Sequence, residues 1–219
     1  MTAVLFDLDG TLLDTLDDLT ASVNAALAAF SLPPRTREEV RKFLGNGAER
    51  LIRLSLPGEK TDPPAEEVLK TFREHYNAHC LDRTRPYDGI LEALGALSMP
   101  AAIVSNKPDS AVKPLCARFF PGVPAFGETA DCPRKPAPDM LFRGLEALGA
   151  DRCVYVGDSE VDVLTAANAG VPCLSVLWGF RGKAELAAAG GKHFCEDPRK
   201  LVSAVRQLIR EKEGSQNGK

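Results

Sequence analysis

Short apolar runs and helix-period repeats alternate along most of this chain, broken near the start by one stretch that reads as helix throughout. Val4-Leu5-Phe6 has the continuous apolar, β-rich character of a strand buried on both faces. Gly10 then permits a tight exit, and Leu16, Leu19, Val23, Ala26, Leu27 and Phe30 recur at helical spacing until Pro33-Pro34 stops them. Further helices are predicted near 36–44, 47–56 and 64–81, with no strand between them. After a turn-rich passage over 83–89 the alternation resumes: helix 90–97, strand 101–105, helix 109–119, strand 124–127, helix 138–148, strand 152–157, helix 161–169 and strand 172–177. A final helix is expected over 198–211, followed by a polar tail over 213–219 that frays.

This order predicts an α/β fold with a doubly wound, mostly parallel, Rossmann-like sheet. The helical stretch divides it, so residues 1–14 and 86–219 form a core domain and residues 15–85 a helical cap domain on two linkers.

Composition adds mainly exclusions. With 219 residues and a formal net charge of -3, the chain can bury a large core but offers no basic field for nucleic acid. No apolar stretch approaches a membrane span, and residues 1–13 do not read as a secretion signal, so the expected location is cytoplasmic. The six cysteines are scattered singly and read as reduced thiols, Cys153 and Cys173 as small core residues. His75 and His79, one helical turn apart without an H-E-x-x-H pattern, read as a solvated helix face. Monomer and homodimer are both left open.

Candidate chemistry gathers at the predicted strand ends. Asp7 and Asp9 leave the first strand as Asp7-Leu8-Asp9-Gly10-Thr11, a carboxylate pair able to attack, bind metal or move protons. Ser105 and Asn106 close the next core strand with a hydroxyl and an amide, both able to bond phosphate oxygens. In Arg134-Lys135-Pro136-Ala137-Pro138-Asp139 two prolines stiffen the turn that carries Lys135, a suitable ammonium for a phosphate or a neighbouring carboxylate. Asp158 ends another strand, and Asp162, four residues on, lies about one helical turn away. In a parallel sheet all these ends point the same way, and an oxygen-rich acidic cluster suits Mg²⁺ better than zinc. Each motif alone is equally compatible with a cap or a turn.

Taken together, Asp7-Leu8-Asp9-Gly10-Thr11, Ser105, Lys135 and Gly157-Asp158-Ser159-Glu160-Val161-Asp162 resemble the four motifs of the haloacid dehalogenase superfamily over nearly the whole chain. The resemblance implies that Asp7 attacks phosphorus to form an aspartyl phosphate, while Asp9 protonates the leaving oxygen and later activates water. It implies Mg²⁺ held by Asp7, the main-chain carbonyl of Asp9 and Asp158, with Ser105, Asn106 and Lys135 on the phosphate oxygens. Asp162 would support the metal or the lysine from behind. Aspartate at position 9 favours the superfamily's phosphate chemistry over its dehalogenase and phosphonatase branches, and the insertion resembles the helical cap of its first subclass.

Within that subclass, the segments 14–19, 45–51, 104–108 and 134–139, with Trp178-Gly179-Phe180, resemble the bacterial phosphoglycolate phosphatases. Leu97-Ser98-Met99-Pro100 departs from them in lacking the usual glycine-bearing approach to the second motif. Gly45, Asn46 and Gly47 would start a cap helix whose free N–H groups meet a substrate carboxylate, with Lys42 or Arg50 as charge partner; helix capping and packing is the alternative for each. The expected function is Mg²⁺-dependent hydrolysis of a small phosphorylated metabolite, 2-phosphoglycolate being the best single candidate. A phosphatase of another metabolite, a pyrophosphatase or a sugar-phosphate mutase is the alternative within the family. A non-catalytic binding module is the alternative outside it.

Overall fold

A computed structural model describes residues 1–58 and 63–216, with side chains described as far as 213. The first strand, β1 (Thr2–Phe6), is followed by the short β2 (Leu13–Asp14) and four consecutive helices: α1 (Leu16–Ala29), α2 (Arg37–Phe43), α3 (Gly47–Ser55) and α4 (Ala65–His79). The chain returns through β3 (Arg85–Pro86) to α5 (Ile90–Gly95), β4 (Ala101–Pro108), α6 (Asp109–Phe119), β5 (Ala125–Glu128) and α7 (Asp139–Ala147). It continues with β6 (Arg152–Gly157), α8 (Glu160–Ala169), β7 (Cys173–Val176), α9 (Lys183–Ala188), β8 (His193–Cys195), a 3-10 turn over Pro198–Lys200 and α10 (Leu201–Gln216).

Six strands form one sheet in the order β5-β4-β1-β6-β7-β8, every neighbouring pair parallel. Such a sheet must be covered on both faces, and the strand residues divide accordingly. Val4, Phe6, Ile103, Val154 and Val156 pack on one side with residues of α5, α6 and α10, including Ile90, Val112, Leu115 and Val205. Ala3, Leu5, Ala102, Val104, Cys153 and Tyr155 pack on the other with Met140 and Leu141 of α7 and Ala166 of α8. The expected doubly wound architecture is the one observed. Its consequence for chemistry is directional, because the carboxyl ends of β1, β4 and β6 open on the same edge.

The helical insertion leaves and re-enters this core at one place. Its two chain crossings pair antiparallel, Leu13 with Pro86 and Asp14 with Arg85. The buried Asp18 carboxylate accepts hydrogen bonds from the main-chain N–H groups of Arg83 (3.0 Å) and Thr84 (2.8 Å), which fixes the returning strand to α1. Helix α2 is held by a capping box in which Thr36 and Glu39 satisfy each other's main-chain donors.

The structure corrects the sequence pattern in several places. β4 runs on through Pro108 instead of ending at 105: Asn106 and Lys107 are buried, and Pro108 is still in register with Glu128 of β5. α9 and β8 lie where the pattern shows nothing, both too short to establish a period. α10 continues past 211 to Gln216, and residues 217–219 of the expected tail lie outside the described residues. His75 is half-buried, with Nδ1 3.0 Å from Ser22 Oγ and its ring stacked on His79, so that face is only partly solvated. All six cysteines are free, and burial pushes the Cys153 and Cys173 thiols up to about 12. No helix among the described residues is long and apolar enough to cross a membrane.

Candidate active site

Asp7 is the first residue beyond β1, and its N–H still donates to the Val156 carbonyl of β6 at 2.9 Å. The chain then folds back on itself. Gly10, at φ 81°, allows the Leu8 carbonyl to accept from the N–H groups of Thr11, Leu12 and Leu13. This turn keeps Asp7 and Asp9 at the sheet edge, where both line one cavity with Ser105, Lys135 and Asp158.

Lys135 is the electrostatic centre of the floor. Its ammonium stands 2.8 Å from Asp7 Oδ1 and 2.8 Å from Asp162 Oδ1, and donates to the Tyr155 hydroxyl at 2.9 Å. Burial alone would lower the lysine, but Asp162 and Asp7 outweigh it and hold Lys135 above its ordinary range. Asp162 is buried as well, yet Lys135, Ser159 and Tyr155 keep it below the usual carboxylate range. Both its oxygens are occupied: Oδ1 accepts from Lys135 and Tyr155, Oδ2 from the Ser159 N–H and hydroxyl.

Asp7 and Asp158 differ from Asp162 in this respect. Burial above all pushes Asp7 up to about 7, against the pull of Lys135. Burial, then Asp162 and Asp7, drive Asp158 well above its ordinary value. Oxygens of Asp7, Asp158 and Asp162 lie within 4.8 Å of one another, so this is a buried cluster with more negative charge than Lys135 offsets. The donors are carboxylate oxygens, without histidine or thiol, and that set fits a hard divalent cation.

Asp158 sits in a cradle that only glycine permits. Its oxygens accept from the Thr11 hydroxyl (3.2 Å) and the Phe180 N–H (2.7 Å). A Cβ on Gly10 would lie 2.2 Å from Asp158 Oδ2, and one on Gly179 would lie 2.4 Å from both Asp158 Cβ and the Gly10 carbonyl oxygen. Trp178 Nε1 donates to the Thr11 carbonyl at 2.9 Å, so the 178–180 turn is pinned between the first and last acidic motifs. Gly179→Ala is expected to cost about 1–3 kcal/mol in stability and to lower phosphate release at least about tenfold, because backbone on both sides must move. Thermal unfolding and a phosphate-release assay check it; an unchanged variant would show that the cradle is slack.

A haloacid dehalogenase-like hydrolase family model matches residues 4–176 of this chain. The chain belongs to that family. Among its relatives, the N-acetylmuramic acid 6-phosphate phosphatase of Pseudomonas aeruginosa is 32% identical over 94% of this chain and 96% of its own length. Phosphoglycolate phosphatase 1 of the same organism is 34% identical, covering 94% of this chain and 78% of the relative. A crystal structure from Lactobacillus delbrueckii subsp. bulgaricus, which carries the provisional name phosphoglycolate phosphatase, superposes with a TM-score of 0.87 at 34% identity, covering 93% and 97% of the two chains. These relatives place the chain among the phosphatases of the family.

In this haloacid dehalogenase-like hydrolase, the sequence-derived residues separate into two groups. Asp7, Asp9, Ser105, Lys135 and Asp158 share the cavity wall, as do Gly45 and Gly47 from the insertion. Asn106 also lines it, but its side chain is bonded to the main chain of residue 135, Nδ2 donating to the Lys135 carbonyl (2.9 Å) while Oδ1 accepts from the Lys135 N–H (2.8 Å). The amide thus clamps the loop that carries Lys135. Lys42, Asn46 and Arg50 are not on the wall. Lys42 turns toward Glu38 at 3.9 Å, and Arg50 is exposed because α3 buries Leu51 and Ile52 instead.

Other site residues escaped the sequence reading. Arg181, buried, bonds Glu160 at 2.9 Å and donates to the carbonyls of Arg41, Lys42 and Leu44 at the end of α2, clasping the insertion to the core. Lys107 donates to both Asp9 oxygens at 2.9 Å and lies 4.5 Å from the ring centre of Tyr76 on α4. Burial would lower Lys107, but Asp9 overcomes it and holds the ammonium above its usual range. Two of the missed residues did carry a signal. Lys107 follows Ser105 and Asn106 at the end of an apolar run, and Tyr155 is a hydroxyl in mid-strand that needs a partner when buried.

Proposed function

We propose that this hydrolase is a cytoplasmic, Mg²⁺-dependent phosphatase that hydrolyses a small phosphate monoester, 2-phosphoglycolate being the best single candidate, through a phosphoryl group carried on Asp7. The observation that carries the reading is the buried Asp7–Lys135 pair at 2.8 Å, set beside Asp158 and facing one cavity with Asp9. Lys135 orients the Asp7 carboxylate and offers charge to the phosphoryl oxygens, with Ser105 as a further donor. Asp7 attacks phosphorus, the bond from phosphorus to the ester oxygen breaks, and Asp9 delivers a proton to that oxygen. Asp9 then takes a proton from the water that attacks the aspartyl phosphate, which releases inorganic phosphate and restores Asp7. Mg²⁺, held by Asp7, Asp158 and the Asp9 carbonyl, would screen the repulsion between an anionic nucleophile and an anionic substrate.

Residues 15–85 act as a cap in this reading, Leu19, Leu44 and Phe72 providing an apolar wall that excludes water. The relatives' names divide between phosphoglycolate and N-acetylmuramic acid 6-phosphate, and both are phosphorylated acids.

The test is kcat/KM for 2-phosphoglycolate, N-acetylmuramic acid 6-phosphate, glucose 6-phosphate and pyrophosphate, with Mg²⁺ and with EDTA. Mg²⁺-dependent release is expected, fastest on 2-phosphoglycolate by at least about tenfold. A flat profile or preference for another ester removes the substrate assignment, and turnover that survives EDTA removes the metal.

A further inference from the structure

Resting on the phosphatase reading and deepening it, we propose that Lys107 is a substrate-binding residue that selects phosphate monoesters whose leaving group carries a carboxylate. Lys107 comes from the end of β4, and its ammonium is bonded to both Asp9 oxygens at 2.9 Å. Asp9 is the residue that serves the leaving oxygen. A cation on Asp9 therefore stands on the leaving-group side of the reaction centre, whereas Lys135, bonded to Asp7, stands on the nucleophile's side. A carboxylate on the carbon next to the ester oxygen is short enough to share Lys107 with Asp9.

Of the other cations on the cavity wall, two are committed to partners and the third is exposed. Lys135 spends its donors on Asp7, Asp162 and Tyr155. Arg181 spends its own on Glu160 and the carbonyls that end α2. Arg73 lines the cavity from α4 but is exposed. Lys107 instead is buried, and beside it the wall is apolar, formed by Leu19, Phe72, Tyr76 and Ala111. In such surroundings a charge-assisted bond is worth more than at the surface, and an ester without the carboxylate gains nothing from the cation. The Tyr76 ring under the ammonium holds it from the insertion side without supplying a competing anion.

The experiment compares kcat/KM for 2-phosphoglycolate and for ethyl phosphate, its counterpart without the carboxylate, in the wild type, Lys107→Gln, Lys107→Arg and Arg73→Gln. The wild type is expected to favour 2-phosphoglycolate by about 100-fold. Lys107→Gln should compress that ratio at least about tenfold, and Lys107→Arg should restore part of it. Any loss transmitted through Asp9 lowers both esters alike and cancels in the ratio. A Lys107→Gln ratio equal to the wild type's, or compression in Arg73→Gln instead, overturns the proposal. If Lys107→Gln does not fold, a wild-type ratio near one overturns it equally. A wild type that hydrolyses neither ester, nor p-nitrophenyl phosphate, overturns the phosphatase reading itself, whereas equal hydrolysis of both esters overturns this inference alone.

Discussion

Asp7→Asn is expected to reduce Mg²⁺-dependent phosphate release by at least about 10⁴-fold while the protein unfolds at an unchanged or higher temperature. An amide keeps the shape of the carboxylate but cannot attack phosphorus. The fold should tolerate the exchange, because Lys135 keeps Asp162 at 2.8 Å and the Tyr155 hydroxyl at 2.9 Å. Burial has pushed the Asp7 carboxyl up to about 7 even against the pull of Lys135, so its charge is unfavourable in the cluster, and the amide removes that burden. Phosphate release and thermal unfolding measured on one preparation check both halves. Undiminished turnover would remove Asp7 as the nucleophile.

Lys135→Met is expected to act on activity and stability together, which separates it from the first variant. The lysine is the cation shared by Asp7 and Asp162. Without it Asp7, Asp158 and Asp162 remain as a buried acidic cluster with no ammonium among them. Removing one partner from a buried ion pair costs about 3–5 kcal/mol, because the charge left behind has lost its solvent and its counter-ion. Denaturant unfolding should report a loss of that size, and phosphate release should fall with it. Adding Asp162→Asn to Lys135→Met should recover part of the stability and none of the activity, since it removes a stranded charge without restoring a phosphate ligand. Unfolding of Lys135→Met at the wild-type denaturant concentration would mean that the cluster is better solvated than its burial indicates.

The parts of this molecule that were legible beforehand share a physical cause. β1 and β6 are covered on both faces, so their apolar runs mark them, and the residues at their ends, Asp7 and Asp158, stand out by contrast. The insertion showed itself because α1 and α4 bury one face each over fourteen and fifteen residues, long enough for a helical period to emerge. β2, β3 and β8, of two or three residues, leave no such trace. Side-chain direction was the harder problem. Arg50 and Lys42 lie near the right glycines along the chain, but α3 turns Arg50 outward and Glu38 draws Lys42 away. Asn106 was placed at the right strand end, but nothing local announces that its amide matches the main chain of residue 135.

The antiparallel pairing of Leu13–Asp14 with Arg85–Pro86, together with the bonds from the returning chain to Asp18 of α1, bears on how this chain tolerates change. A long excursion from a sheet carries a loop-closure entropy that grows only slowly with length, about 0.6 kcal/mol for each doubling. Here the excursion's ends are joined by hydrogen bonds, so that entropy is offset locally and β1 and β4 bear none of it. Helices between the two crossings can therefore be lengthened, shortened or exchanged with little penalty to the sheet. The segment that lines the far side of the cavity is thus free to diverge while the carboxylates beneath it stay where they are.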